Sequence, residues 1–345
     1  MLVANYYNNN DIRVEDRAIP KINEGECLVK IQASGICGSD LMEWYRRDSV
    51  PIVLGHETAG DIAEVGNGVK HLKIGDRVVV LHHVPCLECR HCQRGHETMC
   101  QTLHSTNFDP GGFSQYVRLP RINTELGVFH IPENITYAEA SFAEPLACVL
   151  RGHNRVNLQK GDTIAVIGSG ISGILHIASA KSRGAGFIVA SDINKKRLPW
   201  ALKFGANAVT NNSESIKDIL INEKGRKADI VILTTGHPDA VRAGLEATDE
   251  GGTILLFAPS DPDTPVQIDI NKHFFKHDKT ITSTYANSPD DLKKALKLIT
   301  EQKIPVGEMV THYIGLDEIQ YGFDLVKAGL ESLKVIVEPN STSTV

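Results

Sequence analysis

The pattern of apolar and polar positions divides the chain into two kinds of sequence. Up to about residue 150, short apolar runs of β type are interrupted by glycine, as in "ECLVKIQASGICG", "GDRVVVL" and "GGFSQYVRL". Closely spaced short strands predict an antiparallel, barrel-like domain. Further on, strand and helix patterns alternate, which predicts a parallel sheet with helices on both faces. We therefore predict a β-rich domain over residues 1–152 and a doubly wound α/β domain over residues 153–287.

The alternating half of the chain contains continuous apolar runs, which are typical of strands buried on both faces of a parallel sheet. These runs are "DTIAVIG", "GFIVASD", "ADIVILTT" and "GGTILLF". The patterns "GISGILHIASAKSRG" and "KKRLPWALKFGA" predict the helices that follow the first two strands. Pro199 interrupts the second of these helices and is tolerated only in its first turn.

The last segment, residues 288–345, opens with a marked helix start. Ser288 suits the N-cap position, Pro289 suits the first helical position, and Asp290 and Asp291 follow in the first turn. "LDEIQYGFDLVKAGL" then predicts a helix and "LKVIVEP" predicts a strand. We expect this segment to return to the first domain.

The composition is that of an ordinary globular protein, and the charge disfavours two classes of partner. Hydrophobic residues make up 41% of the chain and charged residues 23%, with 36 basic and 42 acidic side chains and a net charge of −6. Because the chain has no Lys/Arg block, nucleic acid and anionic membranes are not expected partners. No apolar run reaches the roughly 18 residues that a membrane span needs, and the first residues do not resemble a signal peptide. We expect a cytoplasmic protein with reduced thiols.

The stretch "PCLECRHCQRGHETMC" concentrates four of the seven cysteines, at Cys86, Cys89, Cys92 and Cys100. In a reducing compartment such a cluster indicates a metal site. Four thiolates complete the tetrahedral shell of zinc and leave no open position, which predicts a structural zinc in a lobe over residues 85–101. An iron–sulfur site stays open as an alternative, although those runs usually place the fourth cysteine closer and before proline. His91 and His96 are either substitute ligands or solvated loop residues.

A second set of metal-ligand types lies outside this lobe. "GICGSD" contains Cys37, Ser39 and Asp40, "GHETAG" contains His56 and Glu57, and "AEPLACVLRG" contains Glu144. A cysteine, a histidine and a carboxylate leave one zinc position open for water or substrate, as in catalytic zinc sites. Each residue also has a plain structural explanation, since Cys37 suits a core, His56 a buried hydrogen bond and Glu144 an exposed helix cap. Spacing along the chain cannot bring these segments together.

A glycine motif stands between a predicted strand and a predicted helix. In "AVIGSGISG" the spacing is Gly168-x-Gly170-x-x-Gly173. Such glycines permit a tight turn, a close approach of the backbone to a pyrophosphate, and close helix packing. The N–H groups of the helix start, at Ile171 and Ser172, would face the phosphates. The alternative interpretation is a tight strand–helix turn without a ligand.

An acidic residue follows the glycine motif at the distance expected for a ribose contact. Asp192 ends the next strand, where its carboxylate can accept hydrogen bonds from a ribose 2′-OH and repel a 2′-phosphate. This favours NAD over NADP, with a helix cap as the alternative role of Asp192. The basic run Lys195, Lys196 and Arg197 leaves use of NADP open.

Together these motifs resemble those of the zinc-containing medium-chain dehydrogenases, and most closely their sorbitol (polyol) and threonine dehydrogenase branch. The resemblance runs over essentially the whole chain through "GICGSD", "LGHETAG", "IGDRV", the four-cysteine lobe, "GGFSQYV", "EPLAC", "GSGISG" and "KVIV". It implies an α/β protein with a chaperonin-10-like β-barrel catalytic domain, a doubly wound Rossmann domain, and a C-terminal return to the first domain.

The resemblance also implies roles for the candidate residues. Cys37 and His56 are expected to bind a catalytic zinc, and the cysteine lobe a second zinc. Glu57 is the third ligand in the polyol branch, and Glu144 either binds the catalytic zinc directly or contacts it through the zinc-bound water. Asp40 is expected to orient His56, and Ser39 to pass the proton of the alcohol towards the nicotinamide ribose. The expected cofactor contacts are Arg197 at the adenosine ribose, and Ser283 and Tyr285 beside the nicotinamide.

Three positions depart from the family pattern. Met42 stands where relatives often carry a histidine that ends the proton relay, so we expect the relay from Ser39 to end in solvent or at another group. Glu43 stands where sorbitol dehydrogenases have a tyrosine, and its carboxylate either binds polyol hydroxyls, pairs with an amine, or is solvated. Thr284 replaces an arginine that contacts the substrate in relatives, which leaves the identity of the substrate open.

The implied function is NAD-dependent oxidation of a secondary alcohol, polyol or sugar-like, to a ketone by hydride transfer from a zinc-bound alkoxide. An amino-alcohol dehydrogenase of the L-threonine 3-dehydrogenase type stays open as a second enzyme. A non-catalytic binding protein of the same fold is the alternative from another class, but such a protein has no need of an open metal site. A homo-oligomer, dimer or tetramer, is expected by analogy alone.

Overall fold

The structure, a computed structural model, describes residues 1–211 and 214–341. It divides into two units, one made of Met1–Ala147 and Ala286–Val345 and the other of Cys148–Tyr285. We call them the barrel unit and the nucleotide unit. Among the described residues, no helix is both long and apolar enough to cross a membrane.

The strands and helices are numbered in chain order. The strands are β1 Leu2–Asn8, β2 Asp11–Asp16, β3 Cys27–Gly35, β4 Ile52–Val53, β5 Glu57–Val65, β6 Arg77–Val80, β7 Tyr116–Leu119, β8 Val128–His130, β9 Thr163–Ile167, β10 Phe187–Ser191, β11 Ala208–Thr210, β12 Ala228–Leu233, β13 Thr248–Leu256, β14 Thr280–Ser283, β15 Val310–Gly315 and β16 Lys334–Glu338. The α-helices are α1 Glu43–Arg46, α2 Arg90–Gln93, α3 Gln101–Ser105, α4 Arg121–Leu126, α5 Tyr137–Ser141, α6 Ala143–Arg155, α7 Ile171–Ser182, α8 Leu198–Phe204, α9 Ile216–Lys224, α10 Pro238–Ala247, α11 Ile270–His273, α12 Pro289–Thr300 and α13 Ile319–Ala328.

The barrel unit is built around strand β3, which is buried along most of its length. In the larger sheet the strand order is β15-β16-β3-β5-β6-β8, and β7 also pairs with β3. All of these pairs are antiparallel except β15 with β16. Because β15 and β16 come from the last part of the chain, the C-terminal segment completes the sheet that the N-terminal segment begins.

The nucleotide unit contains a parallel sheet with the strand order β11-β10-β9-β12-β13-β14. The chain runs outward from β9 to β11 and then outward again from β12 to β14 on the other side. The order therefore reverses between β9 and β12, the kind of position at which doubly wound sheets bind ligands. The predicted fold class, a barrel domain with a doubly wound parallel sheet, is confirmed.

Local rules also predict two helix starts correctly. Ser288 caps α12 by accepting the N–H of Asp291, and the Asp291 side chain returns a bond to the Ser288 backbone. Pro199 lies in the first turn of α8, where its missing N–H costs no hydrogen bond. Both starts depend on neighbours along the chain, and this is why the sequence predicts them.

Two histidines in the interior of the nucleotide unit form a polar chain. His153 on α6 contacts His176 Nδ1 on α7 through its Nε2 at 3.0 Å, and its Nδ1 lies 3.2 Å from Ser179 Oγ. Both rings are fully buried. Burial lowers the pKa of His176 to about 3, and burial together with the neighbouring His176 lowers the pKa of His153 well below its usual value. Neither ring can therefore accept a proton easily in the folded protein.

We predict that this pair makes the folded protein sensitive to acid. Below about pH 6.5 these histidines become protonated in the unfolded chain but stay neutral in the folded protein. The free energy of unfolding therefore falls as the pH falls. At about pH 5, His176 alone lowers the free energy of unfolding by about 2 kcal/mol relative to neutral pH. Urea unfolding should show that the free energy of unfolding falls between about pH 7.5 and pH 5 in both proteins. The fall should be smaller in the double variant His153→Leu/His176→Leu than in wild type, by at least about 2 kcal/mol. The control is His237→Asn at an exposed helix cap, and equal acid sensitivity in wild type and double variant would contradict the prediction.

Candidate zinc centres and cofactor site

The four cysteines of the lobe converge on one point. Cys89 Sγ lies 3.6 Å from Cys92 Sγ, and Cys100 Sγ lies 3.5 Å from Cys86 Sγ. A disulfide needs about 2.05 Å, so these are free thiols. Zinc–sulfur bonds of about 2.3 Å in a tetrahedron separate the sulfurs by about 3.8 Å, which matches these spacings. The four sulfurs are also too close together to enclose an iron–sulfur cluster, and this favours zinc over the alternative.

Backbone groups favour the thiolate form, which zinc requires, at two of the four cysteines, Cys86 and Cys100. The N–H of Cys86 points at Cys100 Sγ at 3.4 Å, and the N–H of Cys89 points at Cys86 Sγ at 3.3 Å. Burial alone would raise the pKa of the Cys100 thiol, but N–H groups from Cys86 and Leu103 lower it to about 6. His91 is exposed and lies outside the sulfur cluster. The lobe thus fits a metal with four sulfur ligands.

The second cluster is assembled by the pairing of two strands. The register of β3 with β5 sets Gly35 opposite Glu57, so the end of one strand meets the start of the other. Cys37 follows β3 and His56 precedes β5. One ligand atom each from Cys37, His56 and Glu57 lies within 4.8 Å of the other two. These three donors suit zinc and leave room for a fourth ligand.

The His56 ring is oriented from behind by a buried carboxylate. Asp40 is fully buried, and its Oδ1 lies 3.4 Å from His56 Nδ1 while its Oδ2 accepts the N–H of Cys37 at 2.9 Å. Burial by itself would raise the pKa of Asp40, but His56, the Cys37 N–H and Arg46 hold it below its usual value. Since Nδ1 faces Asp40, Nε2 is the His56 nitrogen left for a metal.

The carboxylate of Glu57 has a partner that sequence reasoning did not find. Lys334, the first residue of β16, places its Nζ on Glu57 Oε2. The two side chains are 0% and 1% exposed. Lys334 Nζ also donates to the carbonyl of Ile36 at 3.1 Å. One feature of the sequence could have revealed this lysine. It is a single charged residue in "LKVIV", a run whose other residues are the apolar ones typical of a buried strand.

Glu144 lies on α6, outside the group formed by Cys37, His56 and Glu57. Asn287, another residue that sequence reasoning missed, donates from its Nδ2 to Glu144 Oε1 at 2.8 Å. Both side chains are buried. Glu144 does lie in the first turn of α6, but the alternative of an exposed residue there is wrong, because Glu144 is buried. A direct metal bond from Glu144 stays a prediction.

Three further residues of the barrel unit lie next to these ligands, two of them along the chain and one in space. Ser39 lies in a single 3-10 turn after Cys37, and its carbonyl oxygen is 3.5 Å from Arg46 Nη2. Met42 ends that turn. The ring of His82 lies 5.1 Å from the ring of His56, and burial lowers the pKa of His82 well below its usual value. His82 was also missed, although two adjacent histidines ending an apolar strand, "VVVLHH", are an unusual pattern.

In the nucleotide unit the glycine motif joins β9 to α7. Gly168 has φ of +98°, and a Cβ at Gly173 would lie 2.0 Å from the carbonyl oxygen of Gly168. Those two glycines are therefore required by backbone shape and packing. Gly170 differs, because its φ is −71° and a Cβ there would approach protein atoms no closer than 3.7 Å. Neither conformation nor protein packing requires a glycine at 170, so the open space fits the close approach of a ligand such as a pyrophosphate.

Among the residues expected to contact the dinucleotide, Asp192 is bonded to the glycine turn. Asp192 Oδ2 accepts the N–H of Ser169 at 2.8 Å, and Oδ1 accepts the N–H of Asn194 at 2.8 Å. Arg197 Nη1 approaches Asp192 Oδ2 at 3.4 Å. These contacts tie Asp192 to the glycine turn. Ile171 and Ser172 open α7, Ser283 ends β14, and Tyr285 is 40% exposed two residues later.

Comparison with known proteins agrees with both halves of the chain. A family model described as "Alcohol dehydrogenase GroES-like domain" matches residues 23–133, and one described as "Zinc-binding dehydrogenase" matches residues 172–301. The sorbitol dehydrogenase of Bacillus subtilis (strain 168) is 32% identical over 360 residues, covering 99% of this chain and 98% of the relative.

Solved structures give the same result. Galactitol-1-phosphate dehydrogenase from Escherichia coli matches with a TM-score of 0.87 at 27% identity, covering 98% of this chain and 100% of that one. A candidate zinc-binding dehydrogenase from Sinorhizobium meliloti 1021, solved bound to NADP, matches with a TM-score of 0.86 at 26% identity, covering 98% and 99%. The chain is thus an oxidoreductase that uses zinc and a nicotinamide cofactor. It belongs to the zinc-containing medium-chain alcohol dehydrogenase family, in its sorbitol dehydrogenase-like branch.

Proposed function

We propose that this protein oxidises a secondary alcohol of a polyol or sugar-like substrate to a ketone, with NAD as the hydride acceptor. The observation that carries the proposal is the cluster of Cys37, His56 and Glu57, whose ligand atoms lie within 4.8 Å of one another. Three ligands leave a coordination position for a substrate oxygen, whereas the cysteine lobe is closed by its fourth sulfur. The relatives that act on sorbitol and galactitol 1-phosphate support a polyhydroxylated substrate.

In this proposal the residues of the barrel unit hold and orient the reacting centre. Cys37, His56 and Glu57 hold the catalytic zinc, which supplies Lewis-acid stabilisation of negative charge on an alcohol oxygen. Asp40 keeps the proton of His56 on Nδ1, so that Nε2 remains a neutral donor. The hydroxyl of Ser39 takes the alcohol proton, and Met42 cannot carry it further. Glu144 is assigned to the same site by the resemblance to the family, and its buried carboxylate accepts a hydrogen bond from Asn287.

In the nucleotide unit the proposal assigns the pyrophosphate to the glycine turn and the adenosine ribose to Asp192. The nicotinamide supplies the hydride acceptor. Gly170 leaves the space and the start of α7 offers free N–H groups to the phosphates. Arg197 lies close enough to Asp192 to contact the same ribose. Ser283 and Tyr285 are assigned to the nicotinamide side. The proposal also includes a cytoplasmic homo-oligomer, as the resemblance to the family implies.

The function is tested with a panel of alcohols in the presence of NAD or NADP. We expect NADH formation with at least one of sorbitol, xylitol or inositol, and about two zinc ions per chain in the same preparation. Activity with threonine alone would favour the amino-alcohol alternative. A single zinc confined to the lobe, with no activity on any alcohol, would favour the binding protein and exclude the proposed enzyme.

Removing a ligand of the open site should separate catalysis from folding. Cys37→Ser should lose one zinc and reduce kcat/KM by at least about 10³-fold, because the metal supplies several kcal/mol of transition-state stabilisation. The matched control is Cys27→Ser, a buried cysteine outside both clusters that contacts Thr124. The assignment is wrong if both variants keep two zinc ions and full activity.

Opening the cysteine lobe should act first on stability. Cys92→Ser leaves three sulfurs, and the loss of a structural zinc removes folding free energy directly. A loss of about 3 kcal/mol would lower the melting temperature by roughly 6–12 °C. Calorimetry and metal analysis should show one zinc retained at the Cys37 site and activity preserved at low temperature. An inactive but fully stable variant would instead place the chemistry in the lobe.

Asp192 should control the choice between NAD and NADP. Hydrogen bonds to a charged group contribute about 1.5–3 kcal/mol, so Asp192→Ala should lower kcat/KM for NAD by about 10- to 100-fold. The value for NADP should fall less or rise, because the repulsion of a 2′-phosphate disappears. The ratio of the two values is the readout, since damage to the Ser169 and Asn194 contacts would lower both equally.

A further inference from the structure

Lys334 is the most deeply buried cation beside the proposed catalytic zinc site. Its side chain is 0% exposed, its Nζ pairs with Glu57 Oε2 and donates to the Ile36 carbonyl at 3.1 Å, and it lies 5.7 Å from the ring centre of Phe142. A buried charge is costly unless it is paired and hydrogen-bonded. This lysine therefore depends on Glu57 as its counter-ion.

The strand arrangement makes specific room for the pair. Ile336 on β16 pairs with Gly35 on β3, and Gly35 pairs with Glu57 on β5, so Lys334 reaches Glu57 across the end of β3. A Cβ at Gly35 would lie 2.1 Å from Glu57 Oε2 and 2.6 Å from Lys334 Cε. Gly35 has no positive φ that would require glycine. Position 35 therefore requires glycine, because the ion pair occupies the space that a side chain would fill.

The ion pair with Lys334 affects how Glu57 can bind a metal. Glu57 carries two carboxylate oxygens, and Oε2 is engaged by Lys334. A carboxylate can bind a metal through one oxygen or through both. With Cys37 as thiolate and Glu57 as carboxylate, the ligands carry two negative charges, which cancel the charge of a divalent ion. Because Lys334 holds Oε2, the remaining oxygen Oε1 is the one left to bind the metal.

We propose that Lys334 is a positioning residue that holds one oxygen of Glu57 and so limits this ligand to a single metal bond. The inference rests on the proposed function, because it takes Cys37, His56 and Glu57 as the zinc ligands. Without the lysine, Glu57 binds the metal through both oxygens and occupies the position that a substrate oxygen needs. The ordinary alternative is an ion pair that only fastens β16 to the barrel.

The rate of zinc release distinguishes a positioning role of Lys334 from a purely structural ion pair. In Lys334→Met, zinc should leave the Cys37 site to a chelator about 10-fold more slowly than in wild type, because Glu57 is no longer shared with a lysine. The cobalt-substituted variant should absorb more weakly in the visible, as expected for five ligands instead of four. Lys334→Arg keeps the charge and should resemble wild type. The matched control is the exposed Lys303→Met, and the zinc fraction of this site is identified by its absence in Cys37→Ser.

Two further variants keep the proposal testable if Lys334→Met does not fold. Glu57→Gln and Glu57→Gln/Lys334→Met should release zinc at equal rates, because the lysine acts only through the Glu57 carboxylate. Slower release in the double variant would show that Lys334 acts on the metal by its charge alone and would overturn the proposal. Unchanged or faster release from a folded Lys334→Met would overturn it as well. If wild type holds only the lobe zinc, it is the proposed function that fails, before any variant is compared.

Discussion

Strand β3 lies at the centre of the barrel unit, paired with β5 on one side and with β16 and β7 along the rest of its length. Its register determines which side chains meet at the candidate zinc site. Gly35 lies opposite both Glu57 and Ile336, so that Cys37, His56 and Lys334 are delivered to the same end of the strand. A slip by one residue would turn every side chain of a strand to the opposite face. The site therefore depends on this pairing before it depends on any single ligand.

Buried charges explain why each acid beside the site lies next to a cation, a histidine or a backbone N–H group. Asp40 is buried between the Cys37 N–H, the His56 ring and Arg46. Glu57 is buried against Lys334. In a medium of low dielectric constant an unpaired carboxylate would be protonated or would disrupt the fold, so each acid needs its cation. The same contacts that stabilise the buried charges also orient the metal ligands.

Features of this protein can be predicted from the sequence where the relevant interactions are local or where the residue types restrict the chemistry. The capping of α12 by Ser288, the glycine turn before α7 and the clustering of four cysteines within sixteen positions all follow from near neighbours. The alternation of strands and helices similarly predicted the doubly wound sheet. The residues that were missed have distant partners: Lys334 is 277 positions from Glu57, and Asn287 is 143 positions from Glu144. No periodicity within one segment can reveal such a pair.

The sequence by itself determined the fold class, the glycine turn, the closed cysteine lobe and the residue types able to hold a second metal. Hydrophobic patterns and turn chemistry act over a few residues, and motif spacing records them directly. Only the tertiary structure decided that Cys37, His56 and Glu57 share one point, that Glu144 bonds to Asn287, and that Glu57 is shared with Lys334. Those outcomes follow from strand register and from the need to pair buried charges, and both are properties of the folded chain as a whole.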